Sequence, residues 1–477
     1  MLLKFRKPAL FAFGVLAFFC IYGAFHLKFR FDFEQFFPEG DEDLAFYQKF
    51  IQAFENDNNF ILIGLPNKQD VFEKEFLEKV QKSTNDLKGI DLISKSQSLT
   101  TIRYPIKTPF GMTSKPMINI NDPSQYDANK QNILEDPRFV GSLINQNATA
   151  LTIALKTKYD PDIYESQSLI KEIEKTLQAN KLTEYHILGR ANFQYEIMRI
   201  QQWEFIFCTI ISLFLVTIVV KLLYDKWVIV FITLACVFMS LLGFVGMLSV
   251  LGRELSLMSA LYPVIILIVS TSDIIHIMTK YLDELKKDKS IPDAIKTTIK
   301  EVGVSTLITS ATTSIGFLAL ITSRIAPVRD FGINCAIGVL LAFAITVPLV
   351  LILLSYFGKE KLIALDRKTI PFWDNLVLYM YKSTLVKNRL IVFIALTALA
   401  ISLIGLTQIS TNYSIKKNIP LQEKVGKDFL FFEQNFSGFR PMEFAITAKE
   451  SNIEDYAIAL EIEKLENKLN NTSNLGN

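Results

Sequence analysis

Seven apolar runs interrupt this chain, at roughly 8–27, 205–223, 227–250, 255–279, 302–323, 331–357 and 390–409. Each approaches or exceeds the ~20 residues that cover the hydrocarbon core of a bilayer as a helix. Half of the 477 residues are hydrophobic, and the mean hydropathy is +0.28. Such a chain folds in and around a membrane. The first run follows Lys4, Arg6 and Lys7, as a secretory leader would. Its apolar core is long and no small-residue cleavage site follows, so it reads as a retained anchor.

Lys and Arg in the short connections set the orientation. Lys4, Arg6 and Lys7 place the N-terminus in the cytoplasm. Alternation then puts Lys221, Lys226, the 280–300 loop with Lys286, Lys287 and Lys289, and the 358–389 segment with Lys359, Lys361, Arg367 and Lys368 on the same side. The opposite short loops carry Arg253, Arg324 and Arg329. The four cysteines (Cys20, Cys208, Cys236 and Cys335) all lie in apolar runs, which leaves no disulfide framework for the polar segments. The three histidines (His26, His186 and His276) are scattered, so no metal and no cofactor is expected. A formal net charge of +2 gives nucleic acid no electrostatic footing.

Residues 28–203 form one long connection, expected outside. Strand-like stretches at 59–65, 149–155 and 185–188 alternate with amphipathic helical spacing over 70–88 and 164–180. Val71, Phe72, Phe76, Leu77 and Val80 share one helical face; Leu169, Ile170, Ile173 and Leu177 share another. This alternation predicts β-α-β units on a small sheet. Residues 105–128, with four prolines, read as a loop. Residues 371–381 have an aromatic and apolar face in a basic surround, which suits a helix lying in the cytoplasmic interface; an ordinary linker helix is the alternative.

The chain also begins a second copy of its own plan. The approach to the first run (Leu2, Lys4, Arg6) returns about 383 residues later before the last (Leu385, Lys387, Arg389). Pro38 precedes the strand at Phe60 by 22 residues, and Pro420 precedes strand-like Phe444 by 24. Helical spacing follows in both places, over 70–88 and 453–470. The sequence is therefore expected to stop partway through a second outer domain, as a truncated chain or gene fragment; a short native C-terminal domain is the alternative.

Local motifs carry a family resemblance that covers essentially the whole chain. His186, Gly189 and Arg190 stand just before the second run. Ser272, Asp273 and His276 form an Asp-x-x-His pattern late in the fourth. Gly303, the run from Thr309 through Ser314 and Gly316 to Phe317, and Ala326, Pro327, Phe331 and Gly332 mark the fifth and sixth. Together these resemble the resistance-nodulation-division (RND) superfamily, in the branch shared by MMPL and Patched-like proteins. The resemblance implies an α-helical transmembrane bundle of about seven spans with an extracytoplasmic α+β (ferredoxin-like βαβ) porter-type domain. It divides the chain into span one (1–27), outer domain (28–203), a five-helix sterol-sensing-like bundle (204–357), interfacial helix (358–389), span seven (390–409) and the start of a second outer domain (410–477). One departure is visible: Val269 and Thr271 stand where the family often has glycines.

A carboxylate inside a span is costly unless paired, watered or neutralised, so it marks a functional site by default. Asp273 is the candidate proton relay, with His276 one turn on. Thr271, Thr309, Ser310 and Thr313 are the candidate polar path beside it. The bland readings are that Asp273 snorkels from a position near the span's cytoplasmic end, that His276 bonds locally, and that small polar residues merely let helices pack closely. Pro263 and Pro348 are expected inside the fourth and sixth spans, where Pro263 would kink its helix.

The function this implies is proton-driven export of hydrophobic or amphiphilic molecules, lipids above all, from the inner membrane. Its partners are the membrane, protons, a lipid or hydrophobic small molecule, and a second transporter half or further copies of the chain. The relay of such a transporter draws on spans that this sequence does not contain, so the chain alone is not expected to pump. Rival readings are a sterol-sensing-like lipid receptor and a half-size subunit. No P-loop, Gly-x-Ser-x-Gly or His-Glu-x-x-His occurs, which argues against an enzyme and against direct ATP coupling.

Overall fold

The protein is described by a computed structural model. It covers residues 6–31, 33–54, 59–68, 70–108, 111–136, 138–363, 371–386, 388–409, 420–436, 444, 446 and 456–470. All seven expected spans form helices long and apolar enough to cross a membrane.

Helix α1 (Arg6–Ala24) leads into α2 (Glu42–Ala53) and then the sheet domain. That domain comprises β1 (Phe60–Pro66), α3 (Lys74–Leu87), β2 (Ile93–Gln97), β3 (Arg103–Thr108), β4 (Gly111–Pro116), α4 (Tyr126–Leu134), β5 (Ala150–Thr157), α5 (Ile163–Ala179) and β6 (His186–Gly189). Four strands pair in the order β2-β5-β1-β6, every neighbour antiparallel. Each β-α-β unit is therefore split: β5 lies between β1 and β2, and β1 lies between β5 and β6.

Alternation along β1 gives the sheet two apolar faces. Ile61, Ile63 and Leu65 point to one face, where Leu77 and Val80 of α3 and Leu169, Ile170, Ile173 and Leu177 of α5 complete a core with Ile153, Leu155 and Ile187. A capping box fixes the start of α5: the Asp162 side chain accepts from the Glu165 amide, and Glu165 returns to the Asp162 amide. The opposite face carries Leu62, Ala150 and Leu188.

Residues 105–128 are not a loop. Strands β3 and β4 form a hairpin, and a 3₁₀ turn (Pro123–Gln125) leads into α4. Pro105 lies opposite Ser114, and Pro116 opposite Arg103. A two-stranded ribbon has open edges on both sides, so a missing N–H is tolerated there. The prolines read as breakers because sequence alone does not show that this ribbon stands apart from the sheet.

Gly189 ends β6, and α6 (Arg190–Tyr224) starts at the next residue and runs unbroken for 35 residues. Gly189 has φ +142°, and a Cβ there would come within 2.6 Å of the Phe60 carbonyl oxygen. Gly189→Ala is expected to destabilise the sheet domain by about 1–3 kcal/mol, read as a lower apparent Tm of the purified protein in detergent. An unchanged Tm would contradict the close approach of β1 and α6.

The remaining helices are α7 (Trp227–Val250), α8 (Leu261–Lys286), α9 (Ile291–Thr298), α10 (Val304–Leu318), α11 (Ala326–Leu354), α12 (Lys359–Leu362), α13 (Pro371–Val386) and α14 (Asn388–Leu406). Helices α7, α8 and α11 supply most of the buried bundle, with Cys236, Ile274, Ile277, Tyr281 and Val350 in one cluster and Phe244, Tyr262, Ile266 and Cys335 in a second. Helix α1 lies along α7, where Gly246 lets the Cys20 side chain approach its backbone. A π-helical segment (Ile299–Gly303) joins α9 to α10. The buried Glu284 gathers Lys280 (3.1 Å), Lys287 (2.8 Å) and Lys289 (2.5 Å) at the α8–α9 turn.

Pro263 is not in mid-helix. A 3₁₀ turn (Leu257–Ala260) precedes α8, so Pro263 falls in the first helical turn, where its missing N–H leaves no intrahelical bond unmade. Pro348 does lie inside α11. Helix α13 forms within the segment expected to be interfacial.

Beyond α14, helix α15 (Lys424–Asn435) seats on the sheet face that α3 and α5 leave open. Phe432 and Phe436 pack with Ala150, Leu62 and Leu188, and the Phe431 ring stacks on His186 with centroids 4.1 Å apart. Val425 and Phe429 pack against Phe193 and Ile200 of α6. The expected helix at 453–470 is seen as Tyr456–Asn470, whereas most of the expected strand starting at Phe444 lies outside the described residues.

Candidate functional site

Asp273 is buried, with 2% of its surface exposed, between α8 and α10. Ser310 Oγ donates a hydrogen bond to Asp273 Oδ2 at 3.2 Å. Among the described residues no Lys, Arg or His pairs with the carboxylate. Helix α8 continues beyond it to Lys286, and the Asp273 side chain is buried within the bundle.

Other hydroxyls and amides of the bundle tie the helices together. Ser240 of α7 and Ser270 of α8 are 2.7 Å apart. Ser314 of α10 donates to the Ala336 carbonyl of α11 at 2.9 Å. Asn334 Nδ2 of α11 donates to the Tyr262 hydroxyl of α8 at 3.1 Å, and the Tyr262 ring stacks on Phe331. Asn334 Oδ1 is buried without a hydrogen-bond partner. The Ser240–Ser270 contact holds α8 against α7 one turn from the acid, and the Asn334–Tyr262 contact holds α8 against α11 about three turns away along the helix.

The expected cluster forms only in part. Of the four candidate path residues, Ser310 alone reaches Asp273. Thr271 is buried, but its hydroxyl donates to the Leu267 carbonyl one turn back, at 2.6 Å. Thr309 is exposed and bonds the Ser305 carbonyl; Thr313 is half-buried and bonds the Thr309 carbonyl. His276 lies on the exposed side of α8 and makes no hydrogen bond to Asp273. Three residues apart is 300° on a helical wheel, 60° off the carboxylate's own direction. That is enough to carry His276 out of the packed face.

Tyr262, Asn334 and Ser240 are the residues that sequence reasoning missed. Each lies within an apolar run, and Asn334 was the clearest signal. What each touches depends on how α8, α7 and α11 face one another, which no spacing within one helix reveals.

Seven apolar helices long enough to cross a bilayer, with a sheet domain continuous with one of them and a buried acid between two others, define a multi-pass membrane protein. The chain belongs to the MMPL family, a branch of the RND superfamily: the family model matches residues 49–384, more than half of the chain. It is also 37% identical over 78 residues to a membrane protein of Methanocaldococcus jannaschii. That alignment takes in 16% of this chain and 20% of the relative, so the chain spans about a fifth of the length of the curated relative it matches.

Proposed function

We propose that the protein is a proton-driven secondary transporter that exports hydrophobic or amphiphilic molecules, lipids above all, from the inner membrane. Asp273 is the group that takes up and releases the proton. The observation that carries this reading is a carboxylate buried in an apolar helix with, among the described residues, one hydroxyl donor and no cation beside it. Charge is costly there, so ionisation is coupled to how α8 packs on α10. Binding a proton relieves that cost, and losing it favours a packing that admits water or a counter-charge. Such a two-state element is what a proton gradient can drive.

The orientation that fits puts the N-terminus in the cytoplasm and the sheet domain outside, following the Lys and Arg bias of the short loops. The strand order β2-β5-β1-β6 with two split β-α-β units supports reading the domain as a ferredoxin-like porter domain. Its place in the path is substrate capture at the membrane's outer surface. In keeping with the resemblance, a second transporter half or a further copy completes the relay.

Lipid binding without transport is the second reading. It is favoured by an open apolar groove of about 460 Å³ between α6 and α7, lined by Phe214, Thr217, Phe231, Ala235 and Phe238 among others. Membrane vesicles holding the protein in its active assembly, given a fluorescent lipid and an imposed pH gradient, separate the two. Gradient-dependent movement of the lipid, abolished by a protonophore, is the expected result. Binding with no flux would overturn the transporter reading in favour of the receptor.

A further inference from the structure

Helix α10 is wound unevenly at its two ends. It starts from the π-helical segment (Ile299–Gly303), whose turn holds about one residue more than an α turn. It runs into a 3₁₀ turn (Ala319–Thr322), whose four residues are wound tighter than an α-helix. The extra residue upstream makes α10 lag the register of α9 by about 100° and 1.5 Å. The 3₁₀ turn returns about 80° and 2 Å over its four residues. The two irregularities nearly cancel, so α10 can turn between them while both ends stay in place. The upstream end is held: Ala294, Ile295 and Thr298 of α9 are buried, and Lys280 of α8 pairs with Glu301 inside the π segment at 2.5 Å.

Hydroxyls stand in adjacent pairs along this helix. Thr306, Ser310 and Ser314 are buried. The residue before each also carries a hydroxyl: Ser305, Thr309 and Thr313. The residue after each is apolar: Leu307, Ala311 and Ile315. That asymmetry matches the one direction in which the helix is wound to turn. When the π turn tightens to α and the 3₁₀ turn relaxes to α, every residue between them advances by one position. Thr309 then stands where Ser310 stood, Ser305 where Thr306 stood, and Thr313 where Ser314 stood.

We infer that α10 has two registers one residue apart, and that Thr309 is the hydroxyl that serves Asp273 in the second. A helix advanced along its own screw keeps its backbone path. Gly332 of α11, where a Cβ would meet the Phe317 carbonyl at 2.6 Å, therefore still faces a carbonyl. Thr313 takes over from Ser314 as donor to the Ala336 carbonyl. Hydroxyls turned outward bond the carbonyl four residues back, as Thr309 now bonds Ser305 and Thr313 now bonds Thr309. Asp273 thus has a donor in both registers and lacks one only in passage. Passage is least costly with the carboxyl protonated, which couples the turn to the proton. That coupling rests on the proton role proposed for Asp273; the two registers rest on the winding of the helix and its paired hydroxyls.

Crosslinking reads the registers without transport. In a chain whose Cys20, Cys208, Cys236 and Cys335 are replaced by alanine, Ser314→Cys with Ala336→Cys marks the observed register. Thr313→Cys with Ala336→Cys marks the second. Both pairs are expected to form a disulfide on oxidation in native membranes. Deleting Val302 removes the extra residue and leaves nothing to pass along the helix. The Thr313 link is then expected to fall at least ~10-fold while the Ser314 link persists. A Thr313 link that is absent from the undeleted chain, or unchanged by the deletion, overturns the second register. Thr309→Val provides a variant that leaves the helix length alone, since Thr309 is exposed and its hydroxyl bonds the Ser305 carbonyl of its own helix. It is expected to lower both the Thr313 link and proton-driven transport at least ~10-fold, with Thr309→Ser restoring both. Thr309→Val without effect on either, where Asp273→Asn abolishes transport, refutes the role of Thr309. Transport intact in Asp273→Asn, with a Thr313 link that still depends on Val302, removes the proton reading and keeps the two registers.

Discussion

Asp273→Asn is expected to bring gradient-driven transport to background, a loss on the order of 100-fold or more, the scale at which removing an essential proton-transfer group tells. The substitution is close to isosteric. Asn keeps a carbonyl oxygen for the Ser310 hydroxyl to donate to, so the α8–α10 contact survives while the ionisable group does not. The variant should therefore reach the membrane at wild-type levels, which separates loss of mechanism from loss of fold. Ser310→Ala removes the one observed donor and leaves the acid, and a smaller loss is expected. Substrate-stimulated proton flux in vesicles is the measurement. Transport by Asp273→Asn at the wild-type rate would remove Asp273 from the mechanism.

Lys424→Met is expected to loosen α15 from the sheet domain by about 3 kcal/mol, the scale for stripping one partner from a buried ionic group. Lys424 occupies the first turn of α15, where a cation is unfavourable to the helix dipole. The carboxylates around it account for its presence. It bonds Glu174, lies 3.9 Å from Glu196, and places its ammonium over the Tyr185 ring. Burial on its own would lower the Lys424 pKa, but the Glu174 hydrogen bond and the charges of Glu174 and Glu196 outweigh it and hold the pKa above the usual lysine value. A raised lysine pKa means the contribution is fully present below the unfolded value of about 10.4 and is lost as pH climbs through the folded one. The Lys424 contribution to docking of α15 should thus be constant near neutrality and fade only in alkali. In Lys424→Met, Glu196 at 1% exposure retains, among the described residues, Arg199 at 2.7 Å as its ion-pair partner. Hydrogen exchange should report faster opening of α15 and β6, about 100-fold for 3 kcal/mol. Unchanged protection would show that the aromatic contacts alone hold the helix.

The spans were legible because a bilayer demands about 20 apolar residues in sequence, and α7 or α11 satisfies that without help from its neighbours. Strands β1, β5 and β6 and helices α3 and α5 were legible because their apolar residues repeat at the strand or helix period. Strand β2, which contains Ser94, Lys95, Ser96 and Gln97, has no such pattern and owes its pairing to β5. Around Asp273 the hydroxyl-rich run of α10 marked the right helix but not the right hydroxyl. Ser310 and Thr309 are 100° apart on the wheel, and only the packing of α10 against α8 and α11 decides which of them meets the acid. The order of events along the chain showed the repeat. That α15 crosses to the other repeat's sheet could not be read, because that contact joins residues more than 240 positions apart, as His186 and Asp428 show.

The junction of β6 with α6 has a mechanical consequence. No loop intervenes, and Arg190–Asp160 at 3.0 Å, Asn192 to the Ile187 carbonyl at 2.7 Å and Ser166 to Gln194 at 2.9 Å clamp the first turns of α6 to the domain. At 1.5 Å per residue the helix is a rod of about 52 Å. Rocking it by about 10° around its midpoint would swing each tip by about 4–5 Å, in opposite directions. A change of packing deep in the bundle is thereby delivered to the sheet as a displacement the size of a side chain, with no elastic joint to absorb it.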